Sequence, residues 1–190
     1  MKRYLFLSGA LLLVSLANFG WSLAAGTDAP LVRVQAFFSP RGGCTPAIVR
    51  EIGAATKTVD VEAYEFTSKP IAHALLEAKA RGVRVRVILD ARAAKGRGCV
   101  GPALQHAGIE VLVDGRYAIF HDKVMVIDGD EVLSGSFNFS DSAENRNAEN
   151  LLILREASAL AAQYEADFAG HRAQSTPLGA QSAPSEGGQP

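Results

Sequence analysis

The chain has 190 residues, 48% hydrophobic and 21% charged, with a net charge of −1. That size suits one folded domain, and the composition excludes a wholly disordered chain. Two cysteines exclude a disulfide-dense scaffold or a four-cysteine zinc site, and bulk charge does not attract polyanions, so an anion would need a local patch.

In chain order, the first element is a leader. Met1-Lys2-Arg3 is basic, Leu5 to Leu16 is nearly all apolar, and Ser22-Leu23-Ala24-Ala25 supplies small residues for cleavage. This is the layout of a secretory signal peptide over residues 1–25. The alternative is a membrane anchor, but a span needs about 20 apolar residues and this run ends before Asn18 and Gly20. Export implies a periplasmic or secreted protein with no stable membrane insertion after cleavage. Outside the cytoplasm disulfides persist, so Cys44 and Cys99 are a candidate pair; two unpaired thiols are the alternative. The last segment, residues 173–190, is rich in Gln, Ser, Pro, Gly and Ala and carries one charge, Glu186. It has no periodic apolar face and is expected to be a disordered tail. The folded domain is then 26–172.

Within that domain strands and helices alternate. Leu31 to Phe38 has the period of a strand. Thr45-Pro46 opens a helix carrying Ile48, Ile52 and Ala55. Thr58 to Phe66 alternates Val59, Val61 and Ala63 with Asp60, Glu62 and Tyr64. A helix follows Ser68 and ends at Gly82. Val83 to Leu89 is a strand, Pro102 to Ala107 a short helix, and Ile109 to Val113 another strand. Ala118 to Ile127 reads as a strand closed by the hairpin turn Asp128-Gly129, with Glu131 to Ser134 returning. Asn150 to Leu154 is a strand and Ser158 to Gly170 an amphipathic helix. The pattern predicts an α/β fold, a mixed β-sheet flanked by helices on both faces.

The chemistry concentrates on the hairpin. Residues two apart on a strand share a face, so His121 and Lys123 would project together. Gly135 allows a close backbone approach, while Ser136 and Asn138 can donate hydrogen bonds to phosphate oxygens. A nucleophile or base, a fixed cation and neutral donors suit attack on a phosphodiester. His73, His106 and His171 read as ordinary packed or surface histidines. Tyr64 and Phe66 read as packing residues, and base stacking is the alternative for them.

His121-x-Lys123, Asp128 and Gly135-Ser136 stand at the spacing HxK(x)4D(x)6GS, with Asn138 and Glu149 following. In these residues the chain resembles the phospholipase D superfamily, and among its members the small secreted bacterial endonucleases that carry one motif per chain. The resemblance makes 26–172 a phospholipase D-like catalytic domain, half of a complete site. It implies a homodimer in which two motifs meet. One His121 attacks phosphorus and forms a phosphohistidine; the other protonates the leaving oxygen and then activates water. It implies that Lys123 and Asn138 hold the phosphate, that Glu149 orients the histidine, and that Asp128 and Gly135 support the site. No metal or other cofactor is required in the family.

Such enzymes cut nucleic acid or lipid diesters. Between Lys79 and Arg97 stand seven basic residues and one acid, Asp90. The loop bearing Arg92, Lys95 and Arg97 is therefore the candidate substrate-binding element, although a solvated basic face has the same composition. The expected activity is a metal-independent, non-specific endonuclease acting on DNA and possibly RNA as nucleic-acid substrate. The alternative is a phospholipase D or transphosphatidylase acting on phospholipids.

Overall fold

The computed structural model describes residues 31–180; residues 1–30, on which the expected leader falls, and residues 181–190 lie outside the described residues. Strand β1 is Arg33–Phe38, followed by helix α1 (Cys44–Ala54), β2 (Thr58–Ala63), α2 (Lys69–Ala80) and β3 (Arg84–Asp90). A 3₁₀ turn at Ala93–Lys95 leads to α3 (Gly101–His106), β4 (Glu110–Asp114), β5 (Lys123–Ile127) and β6 (Glu131–Gly135). Then come α4 (Asp141–Asn145), β7 (Asn150–Arg155), α5 (Ser158–Gln174) and β8 (Thr176–Pro177). The strands form one sheet in the order β1-β7-β6-β5-β2-β3-β4-β8. β2, β3 and β4 run parallel, and every other pairing is antiparallel.

Alternation decides the layers. Val59, Val61 and Ala63 of β2 join Ile48 and Ile52 of α1 and Ile71 and Leu75 of α2 in the main core on one face. On the other face Ile88, Leu112 and Phe120 pack with Phe168 of α5, and Val124, Val126 and Val132 pack with Ala161. This is the expected mixed sheet with helices on both faces. The alternating acids of β2 are buried as well. Asp60 forms a bidentate ion pair with Arg86, whose guanidinium lies 4.9 Å from the Phe168 ring centroid. A buried carboxylate is tolerated when it is paired and hydrogen-bonded in this way.

Several expectations are corrected. The fold does not stop at Arg172: α5 runs to Gln174, and β8 pairs with β4 through Thr176 and Pro177. Residues 173–180 are thus part of the fold, because Leu178 packs on the core and its N–H bonds the Val111 carbonyl. Cys44 and Cys99 are not paired; both are free. Cys44 is buried in the first turn of α1, whereas the Cys99 sulfur accepts from the Gly101 N–H before α3. Helix α1 is capped from across the fold. The Glu144 carboxylate accepts from the Gly43 and Thr45 N–H groups at 3.2 and 2.7 Å, in place of a local Thr45 cap. An acid there satisfies orphan donors and opposes the positive helix end. Among the described residues no helix is long and apolar enough to cross a membrane.

Candidate active site

The site forms at the end of the sheet where β2 finishes, β5 begins, β6 ends and β7 starts. Register explains the gathering: Ala63 is opposite Lys123, and Gly135 is opposite Leu151. His121, Lys123, Gly135, Ser136, Asn138 and Glu149 line one open cavity of about 380 Å³. Asp128 stands apart at the far end of β5.

His121 lies outside the strand. β5 begins only at Lys123, because the preceding segment is held by groups other than a strand ladder. The Phe120 N–H donates to Asp90 Oδ2 at 3.0 Å, and the Tyr64 N–H donates to the Asp122 carbonyl at 2.8 Å. His121 is exposed, and its ring packs against Tyr64 with centroids 4.8 Å apart. Lys123 is buried; its ammonium donates to the His121 carbonyl and lies 5.2 Å from the Tyr64 ring centroid. Burial lowers its pKa, against the pull of Asp122 and Glu149.

Ser136 and Asn150 clamp the turn after β6. The Ser136 N–H donates to Asn150 Oδ1 at 3.0 Å, and the Asn150 N–H donates to Ser136 Oγ at 3.1 Å. Gly135 has φ +154, and a Cβ there would collide with the Asn150 carbonyl oxygen. The Asn138 Oδ1 is buried without a partner.

Glu149 does not hydrogen-bond to His121 within the chain. Its oxygens accept from the Ser136 hydroxyl at 2.6 Å and the Asn147 amide at 3.0 Å. Asp128 accepts four hydrogen bonds, from the N–H groups of Thr56, Lys57 and Thr58 and the Thr56 hydroxyl. Of the basic loop, Arg97 lines a neighbouring cavity of about 340 Å³ with Tyr64, Glu65, Thr67, Ala93 and Gly96. Arg92 is bound to the Ala118 carbonyl, and Lys95 borders a different cavity with Gln105 and Leu178. Sequence reasoning did not single out Tyr64 as part of the site, since an aromatic at a strand end packs as readily as it functions. Glu62, Asp167 and His171 also converge, with ligand-type atoms all within 4.8 Å. They lie far apart in sequence and show no metal-ligand spacing. His171 Nδ1 is engaged with Glu62 Oε1 at 2.8 Å, so the fold uses these two as a hydrogen-bonded pair.

Residues 48–172 match the family model described as cardiolipin synthase, PLD-like domain. The chain belongs to the phospholipase D-like family. Proteins named phospholipase D from Rickettsia bellii and Rickettsia conorii are 39% and 40% identical to it. The matches cover 66% and 65% of this chain and 62% of each relative, so the chain spans about three fifths of their length. Nuc from Salmonella typhimurium, a phospholipase D family member, superposes with a TM-score of 0.75 at 31% identity, over 78% of this chain and 99% of Nuc. NucT from Helicobacter pylori shares the fold, with a TM-score of 0.73 at 21% identity, over 78% of this chain and all of NucT.

Proposed function

We propose that this phospholipase D-like chain is an endonuclease whose active site is completed by a second copy. One observation carries the nucleic-acid reading. Arg97 lines a cavity with Tyr64, whose ring packs against His121 with centroids 4.8 Å apart. A polymer with repeating phosphates uses such a neighbour; a single headgroup does not need it.

One chain offers one motif imidazole, His121, and one motif ammonium, Lys123, at an open cavity. Val34, Phe38 and Leu152 are exposed on β1 and β7, and Phe38 is opposite Asn150 beside Glu149. An apolar stripe bordering a half-site suits burial against a second copy of the same chain. In the reaction, His121 of one copy attacks phosphorus. An N–P bond forms and the P–O bond to the leaving strand breaks. The partner's His121 donates the proton to that oxygen, then takes one from water, which displaces the first His121. Lys123, with the Asn138 amide, stabilises charge on the non-bridging oxygens. The leader would deliver the enzyme to the periplasm or outside the cell.

Plasmid digestion in excess EDTA, wild type beside His121→Ala, tests this function. Cutting by wild type alone is expected. No cutting by either protein at any salt concentration would sink the nuclease reading. Lipid hydrolysis is the second reading, favoured by exposed Tyr117 and Ile119 beside His121. Release of headgroup from phosphatidylcholine vesicles without nuclease activity would establish it instead.

A further inference from the structure

His121 is presented by a segment with no regular secondary structure, residues 115–122. Its backbone is tied at Arg116 to Asp114, at Ala118 to Arg92, at Phe120 to Asp90 and at Asp122 to Tyr64. None of these bonds orients the side chains on the α5 side of the segment. Phe120 packs there with Ile88, Leu112 and Phe168, and His171 adds a ring whose angle a hydrogen bond sets. Its ring meets Phe120 edge-on at 5.1 Å between centroids and Tyr117 edge-on at 5.7 Å. His171 is in turn held by Glu62 of β2, through Nδ1 and Oε1 at 2.8 Å. His121 and His171 line the same open cavity, together with Tyr117, Phe120, Asp122 and Asp167.

We propose that the Glu62–His171 pair is a positioning element for His121, acting through the rings of Phe120 and Tyr117. Glu62 is 2% exposed at the centre of the sheet. A carboxylate in such a place is expensive to desolvate, and an apolar pair of similar volume would pack at least as well. What the polar pair adds is direction. A hydrogen bond fixes the angle of the imidazole plane, and two edge-to-face contacts pass that angle to the residue adjoining His121. Burial pushes the Glu62 carboxyl up to about 7. Burial opposes the His171 imidazolium, but hydrogen bonding and charge from Glu62, with Asp167 and Asp122 nearby, raise its pKa. Both directions keep a proton within the pair near neutrality.

The test separates packing from direction. Glu62→Leu with His171→Phe replaces the pair by apolar groups. Melting temperature, and kcat and KM on bis(p-nitrophenyl) phosphate, are measured beside wild type. The expected result is a melting temperature near wild type, a KM within about twofold, and a kcat lowered on the order of ten- to a hundredfold, the cost of a small misplacement of a reacting group. A kcat near wild type at an unchanged melting temperature would overturn the proposal. If the double variant does not fold, Glu62→Met decides, since it keeps the side-chain length and removes the hydrogen bond. Its kcat is expected to fall on the order of tenfold at a KM within about twofold of wild type. An unchanged kcat would overturn the proposal equally.

Discussion

Tyr64 lays its ring against His121, with centroids 4.8 Å apart and planes inclined at 54°. The same ring lies 5.2 Å from the Lys123 ammonium. One aromatic side chain thus touches both residues of the motif, although it stands far from them in sequence. The main-chain N–H of Tyr64 also fixes the Asp122 carbonyl between them.

Truncating that ring should loosen both groups without opening the core. Tyr64→Ala is expected to lower kcat on bis(p-nitrophenyl) phosphate by roughly ten- to a hundredfold. Tyr64→Phe, which keeps the ring face, should stay within about threefold of wild type if packing and cation–π contact are what matter. Steady-state kinetics of the two variants check this.

Asp128 anchors the hairpin to the segment before β2 with four hydrogen bonds. Asp128→Ala should cost about 2–3 kcal/mol, because it leaves donors unpaired, and lower the melting temperature by roughly 4–12 °C. Burial raises the carboxyl pKa, but the backbone bonds from Thr58 and Thr56, the Thr56 hydroxyl and the Lys57 N–H outweigh it, and the net pKa is lowered. Its stabilisation is therefore present above the unfolded carboxylate pKa and lost as pH falls through the folded value. Melting curves from pH 6 to pH 2 should show wild type and Asp128→Asn converging toward acid.

Glu131 has the opposite sign. Burial, followed by the charge of Glu51, pushes its carboxyl up to about 7, with Arg155 3.6 Å away as partial relief. The folded state therefore holds this proton more tightly than the unfolded chain does. Stability falls as pH rises from the ordinary carboxylate range through 7, then levels off. Glu131→Gln should gain on wild type between pH 5 and pH 8. An equal difference in melting temperature at both ends would contradict the assignment.

Gly135→Ala should abolish activity while leaving most of the sheet intact. The added methyl would strike the Asn150 carbonyl, at a φ of +154 that side chains rarely adopt. Opening that turn removes Ser136 from both Asn150 and Glu149. Circular dichroism with a diester assay would show the two effects separately.

The motif, the hairpin turn at Asp128-Gly129, the alternating strands and the helix-ending Gly82 were legible in the sequence. Each depends on neighbours a few positions away, through side-chain period, turn geometry or fixed chemical spacing. The family followed from the same spacing. The rest depends on partners distant in sequence. β8 exists because Leu178 finds the core and an edge of β4. Asp60 and Glu62 are buried because Arg86 and His171 arrive to meet them. Their local alternation alone is equally that of a solvent-facing strand. Glu149 turns to Ser136 and Asn147, and the ring packed on His121 is that of Tyr64. Cys44 and Cys99 lie in separate settings that their spacing did not reveal. Local periodicity determines which elements form, whereas the desolvation of polar groups is balanced only when the whole sheet brings their partners within hydrogen-bond distance.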